Sequence, residues 1–146
     1  MYHILLAVDG SEHTKKVVEE ALLIAEAMKA KISVITVVGE NIFSPRVSVH
    51  FSDENWEMIH RYLREEAEEI VNNAAKPFME KGLDVSTDVI MGHQSPADAI
   101  CERASELKAN MIVVGSRGLR GIKEMFLGSV SNRVAHLGST NIMIAK

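Results

Sequence analysis

A chain of 146 residues, 47% of them hydrophobic and 25% charged, fits one domain with its own core and has the composition of an ordinary globular protein. Its net charge of −4 argues against a general nucleic-acid binder, because no global basic field draws in phosphates, and leaves room only for a local basic site. Cys101 is the only cysteine, which excludes a disulfide framework and a cysteine metal cluster and fits a reducing cytoplasm.

The opening "MYHILLAVDG" has neither a basic leader nor a long apolar region, so no signal peptide is expected. Within it, "HILLAVD" (3–9) is a compact apolar run closed by Asp-Gly and is predicted as a strand. From Ser11 the apolar positions Val17, Val18, Ala21, Leu22, Ala25 and Met28 recur at helical spacing. Ser11 is the expected N-cap, its hydroxyl accepting from a free amide in the first turn. "KISVITVV" (31–38) reads as a second buried strand and 39–52, with Gly39 and Pro45, as a loop.

From Asp53 the positions Trp56, Ile59, Leu63, Ala67, Ile70, Ala74 and Phe78 step by three or four and predict one long amphipathic helix. Trp56 and Phe78 are expected in the core, and Pro77 should kink or fray the last turn. "LDVSTDVIM" (83–91) alternates as a strand. Ser95, Pro96 and Asp98 then form a helix start, with N-cap, first-position proline and capping-box acid, and Ala97, Ile100, Ala104 and Leu107 face inward. "MIVVG" (111–115) is a fourth strand, Val130, Val134 and Leu137 mark a short last helix, and "NIMIA" (141–145) is a fifth strand. No window approaches the roughly 20 apolar residues of a membrane span. Apolar strands alternating with helices predict an α/β fold, a doubly wound parallel sheet covered on both faces by right-handed crossovers. The whole of 1–146 is expected to form one domain.

The segment "VVGSRGLRGIKEMFLGSVSNR" (113–133) holds four of the nine glycines: Gly115, Gly118, Gly121 and Gly128. It follows the fourth strand, and ligands of such sheets bind beyond the carboxyl ends of the strands where the winding reverses. Ser129 and Ser131 open a helix whose free amides favour an anion. Glycines let backbone amides approach phosphate oxygens without obstruction by Cβ. Arg117, Arg120, Lys123 and Arg133 against Glu124 make the stretch locally basic, at +3. It is neither a Walker loop nor a GxGxxG fingerprint, and turn glycines beside surface arginines remain the plainer reading of the segment by itself.

The spacing G-x2-G-x9-G-[S/T] after a hydrophobic strand resembles the nucleotide-binding signature of the universal stress protein family. The likeness spans the chain in order: "ILLAVDGS", "VITVV", "VIMGHQSPADAI", "MIVVGSRG" and "FLGSVSNRV". It implies five strands in the order 3-2-1-4-5, ATP, ADP or AMP as ligand with or without Mg²⁺, and a stress-linked regulatory role. By the same resemblance, Ala7, Val8 and Asp9 border the base and ribose, Val37 lies against the adenine, and Met91 and Gly92 close the ribose side. Gly115, Arg117, Gly118, Gly128, Ser129, Val130 and Ser131 hold the phosphates. Two departures stand out: Asn141 replaces the proline that many members carry before the last strand, and the turn at His93–Gln94 is one residue longer than the shortest forms.

Asp9 lacks the neighbouring acid of a response-regulator receiver, and Met91 stands where a receiver ends its third strand in aspartate, so that reading fails. The six histidines show no metal-ligand pair on one helix face, and Cys101 has no base paired with it in sequence. Two classes of function remain. One is a regulatory protein that binds ATP and reports occupancy. The other is an enzyme that slowly hydrolyses ATP or transfers its phosphate, for which no group that would orient the nucleophile is evident. The apolar fifth strand lies at the sheet edge in the implied order, so a homodimer through 141–145 is expected.

Overall fold

The computed structural model describes residues 1–39, 53–93, 95–116 and 129–146. In chain order these form β1 (His3–Ala7), α1 (Thr14–Met28), β2 (Lys31–Gly39), α2 (Asp53–Glu80), β3 (Val85–His93), α3 (Pro96–Glu106), β4 (Met111–Gly115), α4 (Ser129–Leu137) and β5 (Asn141–Ala145). All strand pairs are parallel, in the order β3-β2-β1-β4-β5. The fold is thus the expected doubly wound α/β sheet, and its order is the one that the resemblance implied.

Side-chain alternation along the strands divides the core into two layers. Ile4 and Leu6 of β1 join Ile32 and Val34 of β2 in a cluster with Val17, Ala21, Ala25, Val71, Ala75 and Phe78 of α1 and α2. On the other face, Leu5, Ile35 and Ile112 pack with Ala97, Ile100 and Ala104 of α3 and Val134 of α4. Strands covered on both faces need apolar residues at odd and even positions alike, which is why they read as runs in the sequence.

Several local expectations need correction. The first helix begins at Thr14, with His13 at the N-cap position and no side-chain cap. Asp9 is the reason: its Oδ1 accepts the Ser11 amide at 2.9 Å and the Thr14 hydroxyl at 3.3 Å, folding 9–14 into a turn before the helix starts. Ser11 therefore caps nothing. Trp56 is half-buried rather than in the core and borders an open groove with Glu57, His60, Arg61 and Arg64. No residue from 54 to 66 is buried, and the helix meets the core only from Ala67 onward, whereas Phe78 is fully buried as expected. Pro77 does not fray the last turn of α2, which stays helical to Glu80 and closes with the Gly82 amide on Met79 O and the Leu83 amide on Phe78 O. The first strand stops at Ala7 and the third runs on to His93.

At the start of α3 the expectation holds: Ser95 Oγ accepts the Asp98 amide at 3.3 Å, with Pro96 at the first position. The 39–52 loop beyond Gly39 and the turn residue Gln94 lie outside the described residues.

Candidate functional site

The winding reverses between β1 and β4. From β1 the chain moves through β2 to β3 on one side, and β4 and β5 build the other. The helices that follow β1 and β4 leave toward opposite faces, opening a crevice at the carboxyl ends of these two strands.

On the β1 side of this rim, Ala7 ends the strand and packs on the α3/α4 cluster. Val8 is 7% exposed and its amide donates to Ile35 O at 2.9 Å. Asp9 follows, holding Ser11 and Thr14 through Oδ1. Val37 lies on β2, two residues past the Ala7 partner Ile35, and is half-buried.

On the β4 side, the buried Ser131 Oγ donates to Gly115 O at 2.9 Å. This bond fastens the first turn of α4 to the last residue of β4, so the amides at the start of α4 lie beside the end of the strand. The Ser131 hydroxyl proton is used in that fastening. Ser129 opens the helix and Val130 packs, half-buried, on the α3/α4 cluster. Arg117, Gly118 and Gly128 lie outside the described residues, as do Arg120, Lys123 and Gly121. Arg133 of the basic stretch is paired with Asp98 of α3 at 3.7 Å.

Met91 and Gly92 lie on β3, two strand spacings from β1, or about 10 Å. Pairing shifts there: Val38 faces Met91, but Gly39 faces His93, so Gly92 is an extra residue in a bulge with φ +71°. A bulged residue leaves the ladder and re-aims the chain, and a positive φ suits glycine. A Cβ at Gly92 would meet nothing within 4 Å, so the conformation and not crowding selects glycine here.

Three features of the rim escaped sequence reasoning. The Ser11 hydroxyl is buried with no hydrogen-bond partner, two residues after Asp9. His13 Nε2 lies 2.9 Å from Ala145 O, which also accepts the Ser116 amide at 2.8 Å. One carbonyl thereby gathers the start of α1, the end of β4 and the end of β5. The bulge at Gly92 is the third. Only the odd length of the "VIMGHQ" turn hinted at it.

Burial raises the thiol pKa of Cys101, with Asp98 and Glu102 adding to the effect, which disfavours the reactive thiolate. Among the described residues no three His, Cys, Asp or Glu side chains stand close enough to hold a metal. No helix among them is long and apolar enough to cross a membrane.

A five-stranded doubly wound sheet, with a helix N-terminus fastened to the strand end at its switch point, defines a class of α/β proteins that take small ligands at the carboxyl rim. Residues 1–146 match the family model described as the universal stress protein family. The chain is 34% identical over 150 residues to universal stress protein YxiE of Bacillus subtilis, with 98% of this chain and 97% of that one covered. It belongs to the universal stress protein family. Among solved structures it resembles a universal stress protein from Archaeoglobus fulgidus in complex with dAMP, at a TM-score of 0.70 and 21% identity over 100% of this chain and 98% of that one. It also resembles a universal stress protein in complex with cAMP, at a TM-score of 0.61 and 27% identity over 99% and 96% of the two chains.

Proposed function

We propose that residues 1–146 form one adenine-nucleotide-binding regulatory domain that works by occupancy and not by rapid turnover. The observation that carries this reading is the Ser131–Gly115 hydrogen bond, which sets the amides of α4 against the end of β4 at the switch point. Structurally similar universal stress proteins in complex with dAMP and cAMP support an adenine nucleotide as the ligand class. The partnerless buried hydroxyl of Ser11, on the same turn as Asp9, fits a rim that has polar capacity left for a ligand.

In this reading Ala7, Val8, Asp9 and Val37 hold the base and ribose, and Met91 and Gly92 border the ribose. Gly115, Arg117, Gly118, Gly128, Ser129, Val130 and Ser131 receive the phosphates of ATP, or of ADP or AMP. Bound Mg²⁺ would neutralise phosphate charge. Asp9, the carboxylate of the β1 rim, is engaged through Oδ1 in its own turn, which favours binding over orientation of an attacking water. The protein works in the cytoplasm as a homodimer joined through β5.

Denaturing the purified protein and weighing any released nucleotide identifies the ligand, and titration calorimetry with ATP, ADP, AMP and cAMP ranks them. Gly118→Val should abolish binding and leave the circular dichroism spectrum near wild type. Absence of any binding by the wild type at millimolar nucleotide overturns the reading.

A further inference from the structure

At the amino ends of the strands, far from the rim, three side chains on the α3/α4 face form a row across β1, β2 and β3. His3 Nε2 lies 2.8 Å from Ser33 Oγ, and Ser33 Oγ lies 2.9 Å from Ser86 Oγ. Ser33 is 4% exposed, while Ser86 stands on the edge strand β3 and is exposed. The row therefore leads from a solvent-facing hydroxyl, through a buried one, to an imidazole nitrogen.

In the tautomer whose Nε2 carries no proton, Ser33 donates to the ring and Ser86 donates to Ser33. This is the polarity a base needs in order to act on a hydroxyl one residue removed.

We propose that Ser86 is a nucleophile activated through Ser33 by His3, and that it takes the acyl group of small activated carboxylic esters. The Ser86 oxygen forms a bond to the ester carbonyl carbon. Its proton passes to Ser33 Oγ as the Ser33 proton passes to His3 Nε2. The ester C–O bond then breaks, and its electron pair leaves on the departing oxygen. The products are acyl-Ser86, a protonated His3 and the released alkoxide or phenolate.

Burial, the largest influence on His3, favours the neutral ring that can accept this proton. Lys31 acts in the same sense, and Asp84 and the Leu107 carbonyl oppose it. The charge that develops on the carbonyl oxygen needs a donor beside the nucleophile. The Ile32 amide donates to Asp84 O, so residues 84, 86 and 88 turn their backbone groups toward β2. Thr87 therefore turns its N–H to the open edge, next to Ser86. The next edge amide, that of Val89, is already taken by Asp88 Oδ1 at 2.9 Å. An edge without enclosing walls suits stoichiometric acylation more than fast turnover.

The test is 4-nitrophenyl acetate added to the purified full chain, with nitrophenolate followed by absorbance and the acetyl group mapped by peptide mass. We expect one acetyl group per chain, on Ser86, formed at least about 100-fold faster than on the exposed Ser105 and Ser139, the lower end of the range of general-base catalysis. His3→Gln retains an amide able to hydrogen-bond Ser33 but supplies no base. It should lower the Ser86 rate to that of Ser105 while the thermal melt shows a folded chain, and Ser33→Ala should do the same. The wild-type rate should rise with pH through an inflection below 6.5, the ordinary histidine value, and His3→Gln should lack it. Acetyl groups spread evenly over serines and lysines, or a Ser86 rate unchanged in His3→Gln, overturn the proposal. If Ser33→Ala fails to fold, the His3→Gln comparison decides alone.

Discussion

At the scale of single residues, Gly10 shows how a turn and a packing contact can demand the same amino acid. Its φ is +75°, and a Cβ there would lie 2.7 Å from Ile70 Cδ1 and 2.9 Å from Cγ1. Gly10→Ala should therefore destabilise the fold by about 1–3 kcal/mol, combining left-handed strain with overpacking against α2. Urea unfolding measures this, and a change below about 0.5 kcal/mol, the level of a neutral surface substitution, would refute it. The Asp-Gly pair was readable as a turn, but Ile70, sixty residues away, was not. His3 adds a pH dependence. Burial holds its folded pKa below the ordinary 6.5, so between those two values the unfolded chain binds a proton that the folded chain does not. Stability should fall as pH drops below 6.5 and be fully present above it. His3→Gln should flatten that part of the stability–pH curve, and identical curves for the two proteins would exclude the effect.

At the scale of elements, β5 carries the clearest consequence. It is an edge strand in the observed order, and Ile142, Met143 and Ile144 are only half-buried. Residues 141–145 contain no charge and no proline to guard the edge. Antiparallel pairing with the same strand of a second chain would satisfy the open backbone groups under two-fold symmetry. Light scattering at micromolar protein should give a dimer mass, and Met143→Pro should give a monomer by removing a ladder donor. A clean wild-type monomer, with or without nucleotide, rules this out. The pattern of α2 was equally legible, and so were its limits. Period alone marked the stripe from Trp56 to Phe78, yet it could not tell that the core begins only at Ala67. A helix longer than the sheet it covers must overhang, and periodicity does not report the width of the sheet.

For the whole molecule, ligand binding and stability are linked, because a nucleotide that binds only the folded chain must raise its stability. At about 100 times the dissociation constant, the gain is about 2.7 kcal/mol, or roughly 5–10 °C in melting temperature for a chain of this length. Gly128→Val should melt with the nucleotide-free wild type and show no such shift. An equal shift in both proteins would place the nucleotide elsewhere. Turnover should stay far below the ~10 s⁻¹ of dedicated enzymes. A faster rate, lost in Gly118→Val, would make the protein an enzyme.

The sequence by itself determined the nine described elements and the α/β class, and it singled out the segment proposed for the site. These depend on side-chain period, on glycine and proline chemistry, and on spacing within one stretch of chain. Ser95, Pro96 and Asp98 start a helix wherever that helix is placed. Only the tertiary structure decided which residues meet across the chain: Gly10 against Ile70, Ser131 on Gly115, His13 on Ala145, and His3 in line with Ser33 and Ser86. It also moved the start of α1 away from Ser11 and put a bulge at Gly92. Each of these is settled by competition between local preference and a partner distant in sequence, and a partner that far away leaves no periodic trace.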